Sequence, residues 1–297
     1  MTDLSEDSCQ KKTSDYVQQN RAMMTFSDGS SWVILSEIEQ SIKQKVEAAG
    51  TPLSEWDVNI YRGILTGYND AYIISTEKRD EILGSCESDE ERQRTADIIR
   101  PILRGRDIHR YGYNWANLWI INVHNGIKGL LERIHIEDYP AIKRHLDSYW
   151  TKIEPRSDQG DTPYNLRNCA YMDDLLKPKI VWGNLNRCAS YTYVGADMFI
   201  NAPCTMIAPA NMFLLGVLNS KLADFYIRSM GVVRNGGYFE YKPMYVGALP
   251  VPHNVDLNGL ELIFKQLIDG GDEKSIDDIV YQLYGLSPDE IDFLNRG

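Results

Sequence analysis

An acidic stretch near the C-terminus has residue types that could bind a catalytic metal ion. Asp272, Glu273 and Lys274 are of the kind a metal-dependent nuclease uses, because carboxylates hold Mg²⁺ beside the reacting phosphate. The three residues are contiguous and follow two glycines, which is typical of a loop rather than of ligands that converge from separate elements. The histidines show no metal-ligand spacing; they are His109, His124, His135, His145 and His253. We therefore predict neither a nuclease centre nor a metal site.

Cofactor-binding and nucleophile motifs are also missing. A dinucleotide-binding loop needs a G-x-G-x-x-G or related pattern between a strand and a helix. Gly236 and Gly237 instead precede Tyr238, Phe239 and Glu240, which do not begin a helix. The sequence has no G-x-S-x-G elbow and no Cys/His signature. We predict no catalytic residue and no cofactor in this chain.

Hydrophobic periodicity predicts mixed secondary structure in the N-terminal half. Residues 32–49 have apolar side chains every three or four positions, which predicts an amphipathic helix that Gly50 ends. Residues 59–75 (NIYRGILTGYNDAYIIS) predict a β-hairpin with a glycine-containing turn. An acidic helical stretch follows. Residues 118–123 (LWIINV) predict a buried strand, and residues 139–150 predict a surface helix with proline in its first turn.

The C-terminal half predicts strands and then helices. Residues 179–208 contain four short β-prone runs separated by Gly, Asn, Asp and Pro, which predicts a meander. Asn211 predicts the N-cap of one helix that extends to about residue 228. Three further helices are predicted from residues 256–268, from a capping box of Ser275 and Asp278, and from Ser287-Pro288-Asp289-Glu290.

Charge is unevenly distributed along the 297 residues. The formal net charge is −11, which by itself disfavours nucleic-acid binding, because phosphate neutralisation supplies most non-specific affinity. However, residues 100–170 hold 11 Lys and Arg against 8 Asp and Glu, and residues 179–249 hold 6 against 3. Residues 250–297 hold 3 against 10. A duplex could therefore lie on a basic central face while the acidic ends point away or contact a partner protein.

Composition places the chain among globular proteins of the cytoplasm. Hydrophobic residues make up 43% of the sequence, and no apolar run is long enough to span a bilayer. The polar start MTDLSEDSCQKKTSD lacks the features of a secretory signal. Five scattered cysteines without a C-x-x-C pair favour free thiols in a reducing compartment. We expect a cytoplasmic protein that does not contact a membrane.

Two blocks of sequence resemble a known family. Residues 62–72 (RGILTGYNDAY) are similar to its R-G-I-x-T-G-x-N-x-A-F block, and residues 99–111 (IRPILRGRDIHRY) to its K-P-x-L-R-G-x-D-I-x-x-Y block. A diffuse third set comprises Tyr139-Pro140, Leu146, Arg156, Tyr164, Leu166-Arg167, Lys177-Pro178-Lys179-Ile180, Leu218-Asn219-Ser220 and Leu249-Pro250-Val251-Pro252. In this order, the sequence resembles the C-terminal specificity region of TaqI-like adenine-specific DNA methyltransferases and of the fused type II restriction-modification enzymes related to them.

The resemblance implies an α+β fold, a mixed target-recognition domain with small β-sheets followed by a helical C-terminal part. It implies that duplex DNA is bound, together with a methyltransferase domain on the same or another chain. That companion domain would use S-adenosylmethionine and flip an adenine out of the duplex. The family grips the flipped base with an Asn/Asp-Pro-Pro-aromatic loop, and this sequence has no Pro-Pro pair. We therefore expect the chemistry and the cofactor in the companion domain.

In such a module, polar side chains on loops read base edges, whereas phosphate contacts only position the protein. The candidate DNA-contacting residues are Arg104, Arg106, Asn184, Asn186, Arg187, Arg234, Asn235 and Tyr238. The three at 184–187 follow a predicted buried strand, which favours them for direct base reading. For the two arginines that flank Gly105, an ion pair with Asp107 that ties the loop is an equal alternative. Ordinary solvated loops are the alternative for the other two groups.

Turn geometry, rather than DNA contact, is the preferred interpretation of a further group: Gly63, Thr66, Gly67, Asn69 and Gly105. The predicted organisation is a linker and amphipathic helix over residues 1–50, the α+β target-recognition domain over 51–210, and a helical region over 211–297 with a recognition loop near 231–245. The main alternative function is a protein-interaction or scaffold subunit that never contacts DNA. A nuclease whose site these motifs do not reveal is a less favoured third hypothesis.

Overall fold

The computed structural model describes residues 35–296, so Cys9 and the predicted helical residues 32–34 lie outside the described part. The helices are α1 (Glu37–Ala49), α2 (Asn69–Tyr72), α3 (Thr76–Gly84), α4 (Asp89–Ile98), α5 (Pro140–Asp147), α6 (Trp150–Ile153), α7 (Met172–Leu175), α8 (Met212–Asn219), α9 (Lys221–Met230), α10 (Pro243–Gly247), α11 (Leu257–Gly270), α12 (Glu273–Leu283) and α13 (Pro288–Arg296). The strands are β1 (Thr51–Pro52), β2 (Asn59–Arg62), β3 (Ile73–Ser75), β4 (Ile99–Leu103), β5 (Ile108–His109), β6 (Gly112–Tyr113), β7 (Leu118–Ile121), β8 (Lys179–Trp182), β9 (Leu185–Asn186), β10 (Tyr191–Val194), β11 (Phe199–Ile200), β12 (Thr205–Ala208), β13 (Val233–Arg234), β14 (Tyr238–Glu240) and β15 (Pro250–Val251). The predicted α+β class, with small sheets and a helical C-terminal part, is confirmed.

A four-stranded antiparallel sheet of order β10-β8-β12-β2 separates two hydrophobic cores. Successive side chains of β8 point to opposite faces, so Val181 belongs to the first core while Ile180 and Trp182 belong to the second. Met206 and Ile207 of β12 divide in the same way. Because both faces are covered, these strands are apolar at consecutive positions and do not alternate with polar residues.

The second four-stranded sheet has the order β11-β4-β7-β3 and packs in the first core. β7 confirms the strand predicted at residues 118–123. The hairpin predicted over residues 59–75 is wrong, because β2 joins the central sheet and β3 joins this one. The chain leaves β2 at Gly63, where a Cβ would lie only 2.5 Å from the carbonyl oxygen of Ile200. Close approach of two backbones, not a hairpin turn, therefore explains this glycine.

The four strands predicted between residues 179 and 208 all form, but the predicted meander is wrong. β8 lies between β10 and β12, while β11 pairs in parallel with β4 of the second sheet. The register places Phe199 opposite Ile102 and Ile200 opposite Leu103, and all four side chains are buried. Burial against a distant segment therefore overrides pairing with the neighbouring strands in sequence.

The helix predicted from Asn211 is two helices, α8 and α9. Asn211 caps α8 as predicted. The break follows Asn219, whose Nδ2 donates to the carbonyl of Tyr191 at 2.9 Å while its Oδ1 accepts from the Tyr191 N–H at 3.0 Å. The Ser220 Oγ then accepts from the backbone N–H of Ala223 at 3.2 Å and caps α9. The helix therefore breaks at Asn219, whose side-chain amide pairs with the backbone of β10 as a neighbouring strand would.

The remaining C-terminal helices form close to the predicted positions. α12 begins before the predicted capping box, because Asp272 is its N-cap and accepts from the N–H of Ser275 at 3.1 Å. Hence the proposed cap of Ser275 and Asp278 is wrong. α13 starts with a capping box in which Ser287 N–H donates to Glu290 at 2.7 Å. α5 and α11 confirm the helices predicted near residues 139–150 and 256–268.

The second core joins the start of the described chain to its end. Ile42 and Val46 of α1 pack in the same cluster as Leu294 of α13 and the buried residues of α8 and α9. Segments on both sides of the predicted domain boundaries, residues 50 and 210, therefore share one core. The predicted division into three parts stays a prediction. Between residues 35 and 296, no helix has the length and apolar character needed to cross a bilayer. The same residues contain no group of His, Cys, Asp or Glu side chains arranged to hold a metal ion.

Candidate functional site

A small antiparallel sheet, hereafter the three-stranded sheet, has the order β13-β14-β9 and unites two of the predicted groups. Asn186 of β9 lies opposite Phe239 of β14, which lies opposite Val233 of β13. Phe239 packs against the second core, so these three residues define the inner face. Two loops that are far apart in sequence are thereby joined in one surface.

Opposite residues of antiparallel strands project from the same face, so the register also defines the outer face. The outer face consists of the row Arg234, Tyr238 and Arg187 and the adjacent row Val232, Glu240 and Leu185. Within this set only Glu240 is buried, and the other five residues are exposed. The outer face therefore presents two guanidinium groups, a phenol and two aliphatic side chains to solvent.

Arg187 is held at the surface by an aromatic ring. Its guanidinium carbon lies 5.2 Å from the ring centroid of Tyr238, a cation–π contact. No carboxylate among residues 35–296 forms an ion pair with Arg187. Because the ring occupies only one face of the guanidinium, the N–H donors in its plane remain available to a base edge or a phosphate.

Arg234 is fixed by a buried carboxylate. Its Nε donates to Glu240 Oε1 at 2.6 Å, and Lys242 Nζ contacts Glu240 Oε2 at 2.7 Å. Hydrogen bonds from Lys242 and Arg234 lower the pKa of Glu240, so its carboxyl stays ionised near neutral pH. Both cations are about half exposed, whereas the Glu240 side chain is 4% exposed. The cluster therefore shows positive charge to solvent and hides the negative charge.

The predicted asparagines differ in how free their amides are. Asn184 Oδ1 accepts from the Thr205 hydroxyl at 2.6 Å, and Asn186 Nδ2 donates to the carbonyl of Gly183 at 2.7 Å. These bonds hold the loop after β8. Asn235 is exposed at the tip of the β13–β14 hairpin and makes no hydrogen bond with another side chain of the described residues. The amide of Asn235 is therefore the most accessible of the three.

The hairpin tip is shaped by two glycines. Gly236 and Gly237 have φ angles of 81° and 76°, in the left-handed region that favours glycine. Every residue from 232 to 238 is exposed. The hairpin thus projects from the body of the protein with little side-chain bulk at its end.

The loop that contains Arg104 and Arg106 borders the same surface. Arg104 pairs with Asp107 through Nε at 3.0 Å and Nη2 at 2.8 Å, which is the loop-tying alternative foreseen for it. Burial alone would raise the pKa of Asp107, but the bonds from Arg104 lower it below its usual value. Arg106 is exposed. Gly105 packs against the loop after β8, since a Cβ on it would lie 3.6 Å from the Cα of Gly183.

Two residues that the sequence did not single out anchor the three-stranded sheet. Asp224 of α9 accepts from the N–H of Ala189 at 2.9 Å and from the hydroxyl of Tyr241. Arg228, one turn later, bonds to Asp224 at 3.3 Å and places its guanidinium 3.9 Å from the ring centroid of Phe239. The i,i+4 spacing of Asp and Arg on an amphipathic helix was the available signal. It gave no indication of which loops the pair would contact.

Three of the predicted turn residues, Thr66, Gly67 and Asn69, lie together outside the three-stranded sheet. Gly67 has a φ of 69°, and the buried Thr66 donates its hydroxyl to Asn69 at 2.6 Å. The Arg156 guanidinium lies over the ring of Tyr72 and bonds to the Thr66 carbonyl. The geometry around these residues is that of a tightly held turn.

Comparison with known proteins gives one matching family, one methyltransferase relative and solved structures with a similar fold. The model of the TaqI-like C-terminal specificity domain matches residues 100–251, which is half of the chain. The chain is 20% identical over 268 residues to the type II methyltransferase M.PaeR7I of Pseudomonas aeruginosa, covering 87% of this chain and 44% of the relative. The matched family region includes the Arg104 loop and all of the three-stranded sheet.

Two solved structures share the fold. The Type IIL restriction-modification enzyme MmeI, solved in complex with DNA, has a TM-score of 0.59 at 12% identity, over 83% of this chain and 36% of that one. The type IIG restriction endonuclease BpuSI has a TM-score of 0.51 at 14% identity, over 86% of this chain and 33% of that one. The chain therefore spans less than half of the length of M.PaeR7I, MmeI and BpuSI.

Proposed function

The chain belongs to the TaqI-like C-terminal specificity domain family, and we propose that it is the sequence-specific duplex DNA recognition module of a restriction-modification adenine methyltransferase. One observation carries the proposal: the outer face of the three-stranded sheet places Arg187, Tyr238 and Arg234 in one exposed row. Arg234 and Tyr238 come from the β13–β14 hairpin and Arg187 from the loop after β9, and the guanidinium of Arg187 has no ion-pair partner among the described residues.

The shape of this surface suits the major groove. A two-stranded β-ribbon fits the width of that groove, and β13 and β14 form such a ribbon with a slim glycine tip. Arginine donates two parallel hydrogen bonds to the O6 and N7 acceptors of guanine. The amide of asparagine donates to N7 of adenine and accepts from its N6 amino group. We therefore assign base reading to Arg187, which Tyr238 supports, and to Asn235. Arg234 bonds to Glu240 through Nε and Nη2, so only its remaining N–H donors are assigned to a base edge. Arg106, at the border of this surface, is assigned to a phosphate.

The other predicted residues take supporting roles in this proposal. Arg104 ties its own loop through Asp107, and Asn184 and Asn186 hold the loop that carries Arg187. Contacts from Arg104 or from either asparagine to DNA would require these internal bonds to be shared. We therefore expect their removal to act mainly by displacing Arg187.

The companion is proposed to be a methyltransferase domain, on the same or another chain, that holds S-adenosylmethionine and acts in the cytoplasm. Support comes from the methyltransferase relative, of which this chain covers 44%. This chain is proposed to contribute no catalytic residue. Its acidic segment at residues 250–297 lies in the helical part and not in the three-stranded sheet, which leaves the DNA surface positive.

The test is binding of the full chain to a pool of duplexes with a randomised centre, followed by titration of the selected duplex at several salt concentrations. We expect an enriched motif and an affinity that falls steeply with salt. Arg187→Ala should weaken binding to the selected duplex about tenfold or more. Lys274→Ala removes an equal charge from an 86% exposed position on α12, outside the three-stranded sheet, and should leave binding unchanged.

Two results would reject the proposal. If no duplex binds at low salt, even with a methyltransferase domain added, the protein-interaction or scaffold function gains support. If Arg187→Ala and Lys274→Ala have equal effects, binding is a response to net charge and the outer face is not the site. Cleavage or methyl transfer by this chain alone would overturn the assignment of catalysis to the companion domain.

A further inference from the structure

The three-stranded sheet concentrates exposed aliphatic side chains as well as cations. Leu185 is 53% exposed, Val232 44% and Val233 62%. Aliphatic groups of this size are usually covered in folded proteins, and an exposed cluster beside polar residues marks an interaction site. The positions of these three residues in the register show which of them belong to the DNA-facing surface.

Val232 and Leu185 lie on the outer face, one on each side of Glu240. The backbone N–H of Glu240 donates to the Val232 carbonyl at 3.2 Å, and Glu240 lies opposite Leu185 in the strand register. Val233, although more exposed, projects from the inner face in the row of Phe239. The outer face thus has an aliphatic row parallel to the row of arginines.

The charged residues beside this aliphatic row indicate what kind of partner covers it. Arg234 and Arg187 stand in the next row of the same face, and Lys242 contacts the Glu240 between the two aliphatic residues. A partner must therefore supply acceptors or anions beside small apolar groups. The major groove of DNA does so, because the thymine C5-methyl group projects into it next to base-edge acceptors and between two lines of phosphates.

We infer that Val232 and Leu185, about 10 Å apart on either side of Glu240, each offer a contact to a thymine methyl group, so that this module recognises at least one A·T pair by apolar contact beside the base pairs read by arginine. The inference rests on the proposed function and adds a base identity to it. Burial of one methyl group against an aliphatic side chain corresponds to about a fourfold change in affinity. Loss of that group should be detectable in a direct titration.

The experiment compares thymine with deoxyuridine, which lacks only the methyl group. The full chain is titrated with its selected duplex and with versions in which each thymine in turn is replaced by deoxyuridine. We expect wild-type binding to weaken about fourfold at one or more positions. Val232→Ser and Leu185→Ser remove the aliphatic methyl groups, so each should abolish the difference between thymine and deoxyuridine at the position that the wild-type side chain contacts. Val233→Ser, the matched control on the inner face, should keep the wild-type discrimination.

Each outcome is decisive. If the wild type binds a selected duplex but is insensitive to every deoxyuridine, or if the motif contains no A·T pair, the thymine contact is rejected while DNA recognition stands. If Val233→Ser, and not Val232→Ser, abolishes the discrimination, the assigned face is wrong. If Val232→Ser keeps the discrimination but loses binding to a methyltransferase domain, the aliphatic row is a protein interface. If no duplex binds, the proposed function itself fails.

Discussion

Glu290 joins the last described helix to the first, and its charge should contribute measurably to stability. Its carboxylate accepts from Ser41 Oγ at 2.7 Å, from Lys45 Nζ at 2.6 Å and from the Ser287 N–H at 2.7 Å. The side chain is only 4% exposed. Burial alone would raise the pKa of Glu290, but the bonds from Lys45, Ser41 and Ser287 outweigh it and lower the pKa from 4.5 to about 2.

The magnitude follows from that pKa difference. A lowered pKa in the folded state means that the ionised form stabilises the protein above pH 4.5 and that this stability disappears as the pH falls towards 2. At about 1.4 kcal/mol for each pKa unit, the contribution at neutral pH is about 3 kcal/mol. Glu290→Gln keeps the shape but places an uncharged amide against Lys45. We expect it to lower the free energy of unfolding at pH 7 by about 3 kcal/mol.

The assay is urea unfolding followed by tryptophan fluorescence, for the wild type and Glu290→Gln, between pH 7 and pH 3. The difference in unfolding free energy should stay constant down to about pH 5 and then shrink by up to about 1.4 kcal/mol per pH unit. Asp289→Asn changes an exposed carboxylate in the same helical turn and should cost less than about 1 kcal/mol. A difference near zero at pH 7, or one that does not shrink below pH 4.5, would refute the reasoning.

Two further predictions concern polar side chains that tie α8 and α9 to neighbouring strands and loops. Asn219→Ala leaves the backbone N–H of Tyr191 without a partner, while the Tyr191 carbonyl keeps the N–H of Tyr111 as its donor; we expect the free energy of unfolding to fall by about 2 kcal/mol, and a loss below about 1 kcal/mol would show that water replaces the amide. Asp224→Ala removes the acceptor shared by Ala189 and Tyr241, so it should reduce discrimination between the selected and a random duplex about tenfold while the salt slope stays unchanged. Equal losses of affinity for both duplexes would assign Asp224 a purely structural role.

Several helix starts were predicted correctly from local signals, although the capping box predicted at Ser275 was not. Asn211, Ser287 and Pro140 marked helix starts correctly, because a capping side chain or a proline acts on the backbone within one turn. The strands in residues 179–208 were also predicted, because their β-prone runs are bounded by turn residues. Their partners were not, since pairing depends on burial against residues more than 80 positions away, as for β11 and β4.

The sequence by itself determined the α+β class, most of the elements, the family resemblance and the polar groups proposed to contact DNA. Only the tertiary structure decided that Arg187 and Arg234 share one face, because their loops meet through the pairing of β9 with β14. It also decided that Arg104 is committed to Asp107, and that the sheet is anchored by Asp224. The physical reason is that residue type fixes what a side chain can bind, whereas strand register and burial fix what it faces.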